Sequence, residues 1–123
     1  MTIFERLTLI EKQADDFGFM WENPFQILDQ IQSECQEIQN DLTQNGDQSH
    51  LQEEIGDLLH AAFSLCLFCN FDAEETLVKS VDKFERRFKA LKSLVHESGQ
   101  ETLQGQPVEI LMAFWDKAKQ RAA

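Results

Sequence analysis

Two pairs of carboxylates, with the members of each pair three positions apart, are the strongest chemical signal in this 123-residue chain. The first pair is Glu34 and Glu37, and the second pair is Glu54 and Asp57. On an α-helix, residues three apart lie on one face about a turn from each other. At about 100° per residue, Glu34 and Glu54 each border the apolar stripe of their helix, whereas a merely solubilising glutamate would face away from it.

Both pairs are centred on the same point, between positions 45 and 46, inside a predicted loop over residues 43–48. If this loop makes the two helices antiparallel neighbours, Asp57 lies level with Glu34 and Glu54 lies level with Glu37. Four anions beside an apolar seam cannot all stay ionised without a cation. Oxygen ligands suit Mg²⁺, with Mn²⁺ as a substitute, rather than zinc. The alternative is a solvated face, because the chain has 22 Asp and Glu residues.

Basic residues form a second group, since six of the 11 Lys and Arg residues lie between positions 79 and 92. Lys83 and Arg87 are four residues apart and share one side of a predicted helix, and Arg87 borders its apolar seam. A cation site beside guanidinium and ammonium groups is what a polyphosphate ester requires. The competing interpretation is an ordinary solvated helix, in which Asp82 and Glu85 balance the basic residues.

Helical periodicity covers almost the whole chain, and no segment alternates as a half-buried strand would. The fold class predicted from this pattern is all-α, an antiparallel bundle of about five helices. Capping residues and breakers set the boundaries. In chain order they are an end near Gly18, a start at Asn23 and Pro24, a capping box of Ser49 and Gln52, a start at Asp72 with Glu75, an end by Gly99, and a last start at Pro107.

The second half of the third predicted helix is apolar on several faces, with Leu59 and Phe68 lying off the main stripe. Such a helix must be covered on several sides, which in a short chain predicts a partner subunit and a homodimer or higher homo-oligomer. Cys66 and Cys69 are three apart on this helix without a second cysteine pair, so we expect buried thiols rather than zinc ligands. Most of the ten phenylalanines are likewise expected in the core.

Composition limits the remaining classes of protein. With 42% hydrophobic residues, the chain suffices for one domain over residues 1–123. A net charge of −11 argues against binding to nucleic acid or to an anionic membrane. The N-terminus lacks the pattern of a signal peptide, and the longest apolar run is shorter than the roughly 20 residues of a membrane span. An odd number of cysteines does not suit a secreted protein built on disulfides. Together these features predict a soluble cytoplasmic protein.

These motifs resemble the MazG family of all-α nucleoside triphosphate pyrophosphohydrolases, whose hallmark is ExxE on one helix and ExxD on the next. Here sixteen residues separate Glu37 from Glu54. Three further matches follow in order, at residues 17–21 (FGFMW), 83–88 (KFERRF) and 115–119 (WDKAK). The likeness spans most of the chain and is greatest to the second, catalytic domain of two-domain bacterial MazG.

The resemblance implies hydrolysis of a nucleoside or deoxynucleoside triphosphate to the monophosphate and pyrophosphate, as in the clearance of unwanted nucleotides. It implies that the acid set, defined here as Glu34, Glu37, Glu54 and Asp57, ligates Mg²⁺ and carries catalysis, with the choice of general base left open. The residues that it places at the substrate are Lys83, Arg87 and Lys119 on the triphosphate, Trp115 in the nucleotide site and Trp21 on the base.

Two positions depart from the family pattern. Ser33 stands where many relatives have a second Glu before ExxE, and Val81 stands where similar relatives have Asn. A lost Asn donor would change substrate choice or slow the reaction. One alternative is therefore a noncatalytic helical module that binds nucleotides or another protein. A di-metal redox bundle needs two Glu-x-x-His motifs, and Asp57 with His60 only resembles half of that pair.

Overall fold

A computed structural model describes residues 1–44 and 46–123 of the chain. This part of the chain contains five α-helices and no strand, so the prediction of an all-α fold is confirmed. The helices are α1 (Ile3–Phe17), α2 (Pro24–Thr43), α3 (Gln48–Phe68), α4 (Ala73–Glu97) and α5 (Val108–Arg121).

The described chain divides into two compact units, Met1–Thr76 and Leu77–Ala123, which we call unit 1 and unit 2 and describe separately. Unit 1 holds the first three helices and the first turn of α4, and unit 2 holds the rest of α4 and α5. That residues 1–123 act as a single domain stays a prediction.

Local chemistry sets the first two helix boundaries, as predicted. α1 ends at Gly18, whose φ of 98° is a left-handed conformation that glycine adopts without a steric penalty. α2 begins with Pro24 at its first turn, where a missing N–H leaves no bond unmade. The side chain of Asn23 caps this helix by accepting a hydrogen bond of 3.1 Å from the backbone N–H of Gln26.

The predicted start of α3 is wrong by about two residues. The cap is Asp47 rather than Ser49, and Asp47 Oδ1 accepts a hydrogen bond of 3.1 Å from the backbone N–H of Ser49. Aspartate and serine are about equally good caps. Asp47 comes first in the chain and caps α3, so Ser49 lies inside the helix. Asn45, within the predicted loop, lies outside the described residues.

α2 and α3 pack closely against each other and form the helical hairpin that positions the acid set. α1 packs on α3 through Phe4 and Phe63, whose rings meet edge to face with centroids 5.4 Å apart. Ile27 of α2 is only 1% exposed and is the largest fully buried side chain among the described residues. The acid set is thus held by α2 and α3, and α1 contacts α3.

In unit 2, α4 and α5 are joined by a two-pronged ion pair, in which Arg121 donates to both oxygens of Glu97 at 3.0 and 3.2 Å. Phe84 and Trp115 also pack together, with ring centroids 5.6 Å apart.

α4 begins as predicted, because Asp72 Oδ2 accepts a hydrogen bond of 2.8 Å from the backbone N–H of Glu75. The last helix begins just after Pro107, as expected, and continues to Arg121.

Two expectations about burial are wrong. Cys69 is exposed and Cys66 is only half-buried, so these thiols are not core residues of the isolated chain. Several phenylalanines are also exposed, among them Phe17, Phe25 and Phe84. Helical periodicity correctly identifies apolar faces, but a face is buried only where another element covers it. Among the described helices, none is by itself long and apolar enough to cross a membrane, although α3 and α4 reach that length and apolarity as a bent pair.

Candidate functional site

Glu34 and Glu54 are the two buried charged side chains of the described chain, each only 7% exposed. Glu34 Oε1 accepts a hydrogen bond of 2.8 Å from Gln30 Nε2, one turn earlier on α2. Glu54 Oε1 lies 3.3 Å from His50 Nε2, one turn earlier on α3. The second oxygen of each carboxylate, Oε2, is buried and has no hydrogen-bond partner among the described residues. Each helix therefore carries one buried acceptor that the protein leaves unsatisfied.

Members of the acid set meet in pairs across the helical hairpin, and the convergence of all four on one ion stays a prediction. Glu34 and Asp57 line the same cavity, and the charges of Glu37 and Glu54 are close enough to affect each other. Glu37 and Asp57 are exposed, whereas their partners are buried. The set consequently has an interior carboxylate and a solvent-facing carboxylate on each helix.

Burial, together with neighbouring negative charge, alters the ionisation of Glu54. Burial raises the pKa of Glu54 above its ordinary value of 4.5, and the neighbouring carboxylates of Asp41 and Glu37 raise it further. His50 acts in the opposite direction. The pKa of His50 is itself raised above 6.5, chiefly by its hydrogen bond to Asp41 and then by the charges of Asp41 and Glu54. The fold therefore holds Glu54 where its negative charge is disfavoured.

A divalent cation fits this arrangement. Two buried carboxylate oxygens without partners, on adjacent helices, are what a cation would satisfy. Glu34, Glu37, Glu54 and Asp57 supply only oxygen atoms, which are the ligands preferred by hard cations such as Mg²⁺ and Mn²⁺. Bound there, the cation would offset the repulsion that the isolated acid set must bear.

The cavity beside Glu34 and Asp57 has a volume of about 580 Å³, within the range of small-molecule sites. Its wall includes the predicted base-stacking residue, Trp21. Its polar edge includes Glu11. Glu11 Oε1 accepts a hydrogen bond of 2.5 Å from Ser64 Oγ and lies 3.0 Å from His60 Nε2. The remaining lining residues include apolar side chains from all three helices and the α1–α2 connector, namely Ile10, Ala14, Phe19, Met20, Ile27 and Ala61.

The other predicted substrate residues lie in unit 2. Lys83 is exposed, and Arg87 is half-buried with its Nε buried and without a hydrogen-bond partner in the described chain. Lys119 lies 3.5 Å from Asp116 in a partly exposed ion pair. Trp115 is half-buried against Phe84. Their contact with substrate stays a prediction.

Sequence reasoning missed three residues that contact the acid set: Gln30, Asp41 and His50. Gln30 and His50 each stand four residues before a buried glutamate, a spacing at which side chains meet on a helix. Asp41 and His50 are also centred between positions 45 and 46, as are the two acid pairs. The same antiparallel register would therefore have placed Asp41 opposite His50, whose ring nitrogen lies 2.7 Å from Asp41 Oδ2.

Comparison with known proteins identifies the family. The sequence family described as "MazG nucleotide pyrophosphohydrolase domain" matches residues 22–91, more than half of the chain. This chain belongs to the MazG family. The match includes the acid set, so the MazG motif and the buried, unsatisfied carboxylates coincide on α2 and α3.

Two named relatives extend the MazG match. The chain is 36% identical over 110 residues to the nucleoside triphosphate pyrophosphohydrolase/pyrophosphatase MazG of Thermotoga maritima, covering 89% of this chain and 41% of that protein. It is 32% identical over 117 residues to the nucleoside triphosphate pyrophosphohydrolase of Escherichia coli K12, covering 94% of this chain and 44% of that protein. The MazG-family chain thus spans less than half the length of these relatives.

Proposed function

We propose that this protein is a Mg²⁺-dependent nucleoside triphosphate pyrophosphohydrolase, which converts an NTP or dNTP and water into the monophosphate and pyrophosphate. The observation that carries this proposal is the pair of buried, unpartnered carboxylate oxygens of Glu34 and Glu54 within the family's motif. Relatives named as nucleoside triphosphate pyrophosphohydrolases support the same reaction. Clearance of unwanted nucleotides in the cytoplasm is the role that we assign to it.

In this proposal, Mg²⁺ supplies positive charge that polarises phosphate oxygens and makes a water molecule more acidic. Glu34 and Glu54 would hold the ion from the interior, and Glu37 and Asp57 would hold it from the solvent side. A carboxylate of the acid set orients the attacking water or takes its proton. Gln30 fixes the rotamer of Glu34 through its hydrogen bond, which leaves the other oxygen of that carboxylate for the cation.

The cavity lined by Glu34 and Asp57 is where we place the nucleoside. Trp21 offers a flat aromatic face for stacking on a base, and Glu11, His60 and Ser64 offer polar atoms at the edge of the same cavity. Lys83, Arg87, Lys119 and Trp115 keep the triphosphate and nucleotide roles implied by their family motifs.

The decisive experiment measures pyrophosphate and monophosphate release from a panel of NTPs and dNTPs with Mg²⁺. Glu54→Gln should abolish release, because it removes a buried anionic ligand while keeping the shape of the side chain. Glu53→Gln, at the exposed neighbouring position, is the matched control and should retain activity. If no nucleotide is cleaved by folded, Mg²⁺-binding protein, the proposal fails, and retained nucleotide binding would favour a noncatalytic regulatory module.

We also propose that the protein is a homodimer or a higher homo-oligomer. Three large apolar side chains of α3 are exposed in the single chain, with Ile55 at 42%, Leu59 at 55% and Phe68 at 37%. A helix this exposed on its apolar side needs a covering surface. Sedimentation equilibrium at micromolar concentration should give at least twice the 14.3 kDa mass of the chain, and a strictly monomeric species would contradict the proposal.

A further inference from the structure

One histidine lies at the edge of the acid set, near the end of the hairpin where α3 begins. His50 lies between two carboxylates, with Nδ1 2.7 Å from Asp41 Oδ2 and Nε2 3.3 Å from Glu54 Oε1. Ligating atoms of these three residues all lie within 4.8 Å of one another. The acid set itself contains only oxygen ligands, and His50 adds an imidazole nitrogen, which can ligate a metal, to its surroundings.

The contact with Asp41 fixes how His50 presents its ring. An ionised Asp41 carboxylate can only accept, so Nδ1, at 2.7 Å, is the ring nitrogen that carries the hydrogen, and in the neutral ring Nε2 on the side of Glu54 carries none. A carboxylate on one ring nitrogen and a metal on the other is the usual arrangement of metal-binding histidines, because the carboxylate sets the tautomer and makes the second nitrogen more basic. Asp41 and His50 already have this relation.

The distance between His50 Nε2 and Glu54 Oε1 matches the distance between two ligands of one zinc ion. Two ligands about 2.0–2.1 Å from a tetrahedral zinc ion lie about 3.3 Å from each other, and Nε2 and Oε1 are 3.3 Å apart. The Glu54 side chain is 9% exposed and its Oε2 has no hydrogen-bond partner among the described residues. The His50 side chain is 55% exposed, so an ion from solvent reaches the site directly.

We propose that His50 Nε2 and the Glu54 carboxylate form a second metal site, selective for zinc and similar transition metals, with Asp41 as its positioning residue. A nitrogen ligand favours these ions over Mg²⁺. The site shares the Glu54 carboxylate with the acid set, through Oε1 where the acid set has Oε2, so an ion held there repels Mg²⁺ at short range. Zinc therefore antagonises Mg²⁺ binding. The proposal does not depend on catalysis, because zinc binding is measurable whether or not the protein cleaves nucleotides.

The test is a zinc titration of the full 123-residue chain, monitored by NMR through the ¹⁵N resonances of its three histidine rings. At about pH 8, above the ordinary histidine pKa, zinc should shift Nε2 of His50 while Nδ1 stays protonated. His60, which contacts Glu11, and His96 on α4 should not respond. Zinc held only by the thiols of Cys66 or Cys69 would leave all three rings unshifted, and that result overturns the proposal.

Matched variants give a second readout by calorimetry. His50→Gln should weaken this zinc site at least tenfold, and Asp41→Asn should weaken it by about 10–100-fold through loss of the orienting carboxylate. His96→Gln, at an exposed position in unit 2, is the control and should bind zinc as the wild type does. Equal zinc affinity of His50→Gln and wild type, with both proteins folded by circular dichroism, would also refute the site.

Discussion

Replacing Glu34 with methionine tests two expectations. The buried carboxylate should lower the free energy of unfolding of the ion-free protein, and a bound cation should offset this loss. The Glu34 side chain is 7% exposed, and its Oε2 lacks a partner in the described chain. Methionine has a similar length and no charge. Gln30 loses its acceptor in this variant, but Gln30 is exposed, so water replaces the lost hydrogen bond.

Without divalent cations, Glu34→Met should be more stable than wild type by about 1–3 kcal/mol, the usual cost of leaving a buried polar group unsatisfied. Replacement of buried ionic groups by apolar residues of similar volume is known to stabilise proteins by a similar amount. With Mg²⁺ present this advantage should shrink. An ion at about 100 times its Kd adds about 2.7 kcal/mol to the free energy of unfolding, and the variant cannot receive this gain in full because it lacks one ligand.

The assay is urea unfolding followed by circular dichroism, once with EDTA and once with excess MgCl₂. Gln36→Met, at an exposed position of the same helix, is the control and should change stability by no more than about 0.5 kcal/mol in either buffer. The reasoning is refuted if Glu34→Met is the less stable protein in EDTA, or if Mg²⁺ stabilises it as much as it stabilises wild type.

Two further predictions follow from the aromatic wall of the cavity and from the ion pair of unit 2. Trp21→Ala should weaken nucleotide binding by the equivalent of about 1–3 kcal/mol, the usual worth of base stacking, as measured by calorimetry with a nonhydrolysable nucleotide; Phe25→Ala, an exposed aromatic, is the control and should bind normally. Arg121 lowers the pKa of Glu97 below 4.5, so the pair stabilises the protein above that value and the stabilisation is lost as the pH falls through the lowered pKa. Arg121→Gln should raise the pKa of Glu97 in an NMR titration and destabilise the protein at neutral pH more than in acid, whereas an unchanged Glu97 pKa would contradict this assignment.

The helices were predictable because the signals that start and stop them are local. Asn23 with Pro24 and the glycine at position 18 act within one turn of the chain, and all are found in their predicted roles. The cap of α3 was misassigned because Asp47 and Ser49 are similarly good caps two residues apart. Propensity does not separate them, since the choice depends on the path of the connector.

Burial was less predictable than helix position. Cys69 is exposed, contrary to expectation. Whether an apolar face is buried depends on whether another surface covers it, and periodicity does not reveal this. In the candidate site, antiparallel register correctly brought Glu34 and Asp57 to one cavity. The same register places His50 opposite Asp41, but a histidine is not part of the paired-carboxylate pattern that predicts the site.

The acid set lies within a single helical hairpin, residues 34–57, and this has a consequence for how the chain folds. Contacts between residues close in sequence form early, because little chain entropy is lost in closing the loop. We therefore expect the four negative charges to come together during folding, before most long-range contacts exist. Interactions made at that stage change the folding rate more than the unfolding rate. We expect divalent cations to accelerate refolding, so that the ions present while the chain folds govern how fast this hairpin closes.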